Sequence, residues 1–136
     1  MVPEQYVVVH NEVVAAIGRD RVVYARARGA LCPAGVSALY ACLAATYSGR
    51  APRGLVLDFR FARNVGGADI QDAVVESCGW NRLRLPTAVI CLPEQAHAFR
   101  WSIALDALRT GHQRRLFYSP EQGQGWVLDP ESGLRG

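Results

Sequence analysis

The best candidate for a site in this 136-residue sequence is the loop from Asn64 to Asp69, where amide and carboxylate side chains flank paired glycines. Glycine lets a backbone approach a partner closely, and a helix start offers N–H groups to an anion. Arg60 and Arg63 could add charge-assisted hydrogen bonds to carboxylate or phosphate. Arg63, Asn64, Gly66, Gly67 and Asp69 are therefore the candidate partner- or ligand-binding residues. A plain turn explains the same letters, because Asp69 in a first helical turn complements the helix dipole. That carboxylate also opposes a bound phosphate. Asp58 sits in an apolar run with no second acid or base at catalytic spacing. It reads as a strand-end carboxylate accepting hydrogen bonds from loop N–H groups or from Arg60.

The remaining reactive side chains form no recognisable constellation. His10, His97 and His112 lack metal-ligand spacing; Glu94 and His97 are three residues apart and read as a solvated helix face. His112 follows Gly111 and suits a helix C-terminus or turn. Cys32, Cys42, Cys78 and Cys91 include no C-x-x-C pair and match no zinc pattern. The last three lie in apolar segments, where cysteine acts as a small hydrophobe, and free thiols are expected. Trp80, Trp101 and Trp126 read as packing residues, Trp80 the most exposed of them. No metal, cofactor or catalytic residue is expected, and the chain reads as a non-enzyme.

The elements that must position these residues follow from hydrophobic pattern. Gln5 to Ile17 is valine-rich and reads as strand, broken near His10-Asn11-Glu12. Gly18-Arg19-Asp20 supplies a turn, and Arg21 to Arg28 reads as a strand pairing antiparallel with the first. Pro33 opens a helix, with Val36, Leu39, Tyr40, Leu43 and Tyr47 on one face. Leu55 to Phe59 is a short apolar strand buried on both faces. Ile70, Ala73, Val74 and Ser77 have helical spacing, and Ala88 to Leu92 is another buried strand. A third helix begins at Pro93-Glu94, with Trp101, Ala104, Leu105 and Leu108 on one side. Arg115 to Tyr118 is a last short strand. Pro120 to Leu128 could close as a helix that Gly123 and Gly125 weaken. The order is β-β-α-β-α-β-α-β with a final short helix: an α/β fold with a mixed, mostly parallel sheet of about five strands. Leu55–Phe59 is expected at its centre, between the Arg21–Arg28 and Ala88–Leu92 strands.

Composition narrows the function classes. Half of the residues are apolar, enough for a core without metal or disulfide support. No apolar run approaches the roughly 20 residues of a bilayer-spanning helix. The start has no signal-peptide pattern, which reads as one cytoplasmic domain over residues 1–136. Net charge is +3, and all fifteen basic residues are arginine. Only Arg114 and Arg115 are adjacent, so no nucleic-acid tract emerges. Arg50, Arg53, Arg82, Arg84, Arg114 and Arg115 each precede a parallel strand. They should gather at one end of the sheet, as solvated charge or as an anionic partner's surface.

Several segments together resemble the STAS superfamily, in its branch containing the sporulation anti-sigma-factor antagonist. They are Val22-Val23-Tyr24 running into Gly29, then Gly54-Leu55-Val56-Leu57-Asp58-Phe59, then Pro86-Thr87-Ala88-Val89-Ile90. Gly111-His112-Gln113-Arg114-Arg115-Leu116-Phe117 and Trp126-Val127-Leu128 complete the set, which spans nearly the whole chain. The resemblance implies a STAS-like fold and a non-enzymatic domain that docks a protein partner, itself included, or senses a small ligand. It also implies a phosphorylated serine or threonine at the start of the helix after the central strand. Phe61 to Asp69 contains neither, so that switch does not carry over. Some relatives resemble a lipid-transfer fold, which makes a small apolar ligand the alternative, in a cavity lined by Leu39, Leu43, Ile70, Ile90 and Trp101. Neither nucleic acid nor membrane insertion is expected.

Overall fold

The structure is a computed structural model that describes residues 6–10, 13–30, 52–63, 85–97, 99–100 and 114–129. The strands are β1 (Tyr6–His10), β2 (Val13–Ile17), β3 (Val22–Ala30), β4 (Gly54–Arg63), β5 (Thr87–Ile90) and β6 (Arg114–Phe117), followed by helix α1 (Pro120–Leu128). They form one six-stranded sheet in sequence order. The first three strands pair antiparallel, and β3 through β6 pair parallel. The sheet is mixed and mostly parallel, as its sequence pattern predicts, with one strand more than expected. The valine-rich stretch from Gln5 to Ile17 is not a single broken strand. It folds back on itself, so that Tyr6 faces Ile17 and His10 faces Val13. β4 lies between β3 and β5, as expected for the centre of the sheet. Three of the four predicted helices fall largely or wholly outside the described residues. The segment at Pro93–Gln95 is a 3-10 turn, with helical residues after it.

Strand alternation sends successive side chains to opposite faces, and both faces here are apolar. Leu55, Leu57 and Phe59 join Val23, Ala25 and Val89 in the larger core, where Phe59 and Phe99 stack with ring centroids 5.1 Å apart. Leu57 is buried, as a central strand requires. On the opposite face Val22, Val56, Ala88 and Ile90 pack with Val127 of α1.

Helix α1 forms despite its two glycines, and their positions explain why. Ser119 caps it by accepting a hydrogen bond from the Gln122 N–H (3.2 Å), and Pro120 occupies the first turn. Gly123 is buried against the sheet: a Cβ there would lie 2.7 Å from Ile90 Cδ1 and 3.0 Å from Ala88 Cβ. A missing side chain thus lets the helix settle close to β5. Gly54 makes the same concession from the sheet side, since a Cβ would collide with Val127 Cγ1 and sit 3.0 Å from the Pro86 carbonyl oxygen. Gly125 faces open space and has no such role.

Polar bonds fasten α1 to the start of β3. The Asp20 carboxylate accepts from the Val22 N–H (3.0 Å), the Tyr24 hydroxyl (3.3 Å) and Gln124 Nε2 (3.0 Å). Burial first, and then the Asp20 charge, push the Tyr24 phenol well above its ordinary range. Arg53 Nη2 donates to the Leu128 carbonyl oxygen at 3.4 Å.

Candidate functional site

Parallel strands end together, and crevices beyond their carboxyl ends are where open α/β sheets usually take ligands. The decisive local feature there is an irregularity in β4. Arg26 faces Asp58 across the β3–β4 ladder, but Arg28 faces Phe61. One residue on β3 is thus spanned by two on β4, which is a β-bulge. Its effect is visible in burial. Phe59 and Ala62 both point into the larger core, whereas Phe61 between them is turned out. Unbroken alternation from Phe59 would have buried Phe61 and exposed Ala62.

Two side chains hold the bulge. Asp58 Oδ1 accepts the Arg60 backbone N–H at 3.0 Å. The same carboxylate takes Arg60 Nε at 3.0 and 3.2 Å and Nη2 at 2.8 Å. Asp58 is 8% exposed, so this pairing compensates a charge that burial would otherwise penalise. The hydrogen bonds that Arg60 donates to Asp58 raise its pKa against an opposing desolvation, and the charges of Asp58 and of Glu121 in the first turn of α1 favour the cation as well. Gln95 fastens the other side. Its Nε2 donates to the carbonyl oxygens of Phe59 and Ala62, both at 3.1 Å, while its Oε1 accepts the Leu92 N–H at 2.8 Å.

Around this frame lie the exposed large apolar side chains of the described residues: Phe61 (53% exposed), Leu92 (36%) and Tyr118 (45%). Phe61 is near the carboxyl end of β4, Leu92 just beyond β5, and Tyr118 just beyond β6. The guanidinium carbons of Arg26 and Arg60 stand 5.6 and 5.3 Å from the Phe61 ring centroid, at cation–π distance. Arg100 Nη2 donates to the Tyr118 hydroxyl oxygen at 3.1 Å.

The sequence-predicted residues distribute as follows. Asp58 takes its predicted partner Arg60, but within a strand that continues to Arg63 rather than at a strand end. Arg63 closes β4 and is exposed; Asn64, Gly66, Gly67 and Asp69 lie outside the described residues. Glu94 and His97 are both exposed. Among the described residues no group of three acidic, histidine or cysteine side chains could hold a metal. Cys91 is fully buried, and burial pushes its thiol up, away from the reactive thiolate. Of the six arginines expected at the amino ends of the parallel strands, Arg53 precedes β4 while Arg114 and Arg115 open β6. Arg50, Arg82 and Arg84 lie outside the described residues, as do His112, Trp80, Trp101, Cys32, Cys42 and Cys78. Trp126 is half-buried beside Phe117, at 5.8 Å between ring centroids. Gln95 and Phe61 were not among the predicted site residues. Strand alternation points Phe61 the wrong way, and nothing in the sequence marks Gln95.

This arrangement of two antiparallel strands leading into a parallel sheet, with a closing helix on one face, is STAS-like. Comparison with solved structures agrees. An uncharacterised protein of the DUF3478 family from Shewanella loihica PV-4, described as having a SpoIIAA-like fold, superposes with a TM-score of 0.58. The two are 14% identical, and the match covers 93% of this chain and 98% of that one. The chain therefore has the SpoIIAA-like fold. No family model and no curated protein matches the sequence. Among the described residues no helix is long and apolar enough to cross a membrane.

Proposed function

We propose that this chain is a non-enzymatic interaction domain that docks a protein partner, a second copy included, at the carboxyl ends of β4, β5 and β6. One observation carries the reading: Phe61, Leu92 and Tyr118 are exposed at the ends of three adjacent strands, on one end of the sheet. Single exposed apolar residues are ordinary, but a set on one edge is characteristic of a contact surface. The bulge supports it further, because bulges recur where a strand must re-aim a side chain. The apolar-carrier alternative has less support. Ile90, one of the five residues assigned to its cavity, is fully buried under α1. The other four lie outside the described residues.

The test is photo-crosslinking in extract of the source cell, with benzoylphenylalanine in place of Tyr118, compared with the same probe in place of Arg115. Position 118 should yield a discrete protein adduct that position 115 does not. Equal labelling from both positions, or adducts from 115 alone, would falsify the assignment of this edge.

A further inference from the structure

The outward face formed by the carboxyl halves of β3 and β4 is strongly one-sided in charge. Arg26, Arg28, Arg60 and Arg63 lie there with one carboxylate, Asp58. Asp58 is occupied by Arg60. Arg26, Arg28 and Arg63 are exposed, and Phe61 stands among them with the guanidinium carbons of Arg26 and Arg60 within 5.6 Å of its ring centroid. The surface thus offers an apolar ring inside a frame of guanidinium groups.

Building on the docking reading above, we propose that this face binds an acidic, partly apolar segment of the partner in extended form. Carboxylates of that segment lie on Arg26 and Arg63, and an apolar side chain lies on Phe61. Spacing favours such a segment. Arg26 lies two residues before Arg28, which faces Phe61, and four before Ala30, which faces Arg63, so the three side chains stand at levels about 6.6 Å apart along the strands. An extended peptide presents same-side residues at that repeat, so an acidic, an apolar and a second acidic side chain at alternate positions meet Arg26, Phe61 and Arg63 in turn. Guanidinium matches carboxylate in two-pronged geometry. The ring needs an apolar contact that a purely anionic ligand does not supply. A nucleic-acid strand fits less well. Its phosphates recur at every step and would face Asp58 and the nearby Glu121, and the chain's net charge is only +3.

The experiment uses the full chain and three fluorescein-labelled probes at low salt, read by anisotropy. One (Glu–Leu) is a pentapeptide with Glu, Leu and Glu at its first, third and fifth positions and serine between them, the second (Gln–Leu) carries Gln in place of Glu, and the third is a single-stranded RNA hexamer. The Glu–Leu peptide should bind about tenfold or more tighter than Gln–Leu, since charge-assisted bonds outweigh neutral ones. That advantage should shrink as salt rises. Arg26→Gln with Arg63→Gln should remove it, and Phe61→Ser should weaken both peptides. Arg114→Glu with Arg115→Glu, at the other end of the sheet, should change nothing. Circular dichroism melts confirm that each variant is folded. The inference is overturned if Glu–Leu binds no better than Gln–Leu, if RNA binds tighter than either, or if only the Arg114/Arg115 variant loses binding. A Tyr118 crosslink that persists while the acidic peptide fails would leave the docking edge standing and remove the acidic partner. Peptide binding without any crosslink would do the reverse.

Discussion

The two ends of the parallel sheet are built on opposite plans. At the amino end, side chains have been removed so that elements touch: Gly54 admits Val127, and Asp20 gathers Val22, Tyr24 and Gln124 into one polar clasp. At the carboxyl end, β4 carries an extra residue, and large apolar side chains are left in solvent. Close approach excludes water and fixes geometry, while exposed rings contribute little to the monomer. On the docking reading proposed above, the difference teaches that stability and recognition are assigned to separate ends of the same strands.

If that division holds, substitutions should sort by end. The largest effect belongs to Gly54→Ala, whose new methyl meets Val127 and the Pro86 carbonyl oxygen. Overpacking of this kind costs roughly 1–3 kcal/mol. Urea titration should show that loss, and Val127→Ala should cost less in the Gly54→Ala background than alone, because the two sites couple. Gln95→Leu tests the frame of the carboxyl end. It leaves the Phe59 and Ala62 carbonyls without their donor, at roughly 1–3 kcal/mol when buried acceptors go unsatisfied. The same variant should lower crosslinking from position 118, which a purely structural loss elsewhere would not. Gly125→Ala should stabilise by roughly 0.5–1 kcal/mol, because its Cβ enters open space and alanine favours helix. Smallest is Phe61→Ser, expected to shift stability by less than about 0.5 kcal/mol while weakening partner contact. A large loss of stability in Phe61→Ser would merge the two ends into one structural unit and break the comparison.

How far the sequence discloses this molecule depends on how local each signal is. Leu55 to Leu57 and Ala88 to Ile90 are unbroken apolar runs, and such runs are central strands in a parallel sheet. Asp58 and Arg60 are two residues apart, so their bond was open to inference. The first valine stretch was harder. No glycine or proline separates Val9 from Val13, and the chain still reverses between them. The glycines of α1 weaken it on helix propensity alone, because propensity is a local quantity. The benefit of Gly123 is contact with Ile90 and Ala88, more than thirty residues away. The candidate site was legible in position more than in membership. Arg60 and Arg63 lie near the carboxyl end of β4, where Phe61 is exposed. Phe61 is exposed only because of the bulge, and Gln95 reaches the bulge from a different segment of the chain.

The bulge also changes how the strand should be counted. Register shifts by one residue across it: Arg26 meets Asp58, but Arg28 meets Phe61 and Ala30 meets Arg63. If Arg60 were absent, Ala27 would meet Phe59 and every later pairing would stay in place. Arg60 is therefore a supernumerary residue, carried by a ladder that is complete without it. Shortening the chain by that one position should straighten the strand and keep Phe61 outside and Ala62 inside. It should also strand the nearly buried Asp58 carboxylate without a counter-ion. What ties this strand to an odd length is thus a pair of opposite charges, and a homologous chain lacking both could be one residue shorter with the same faces.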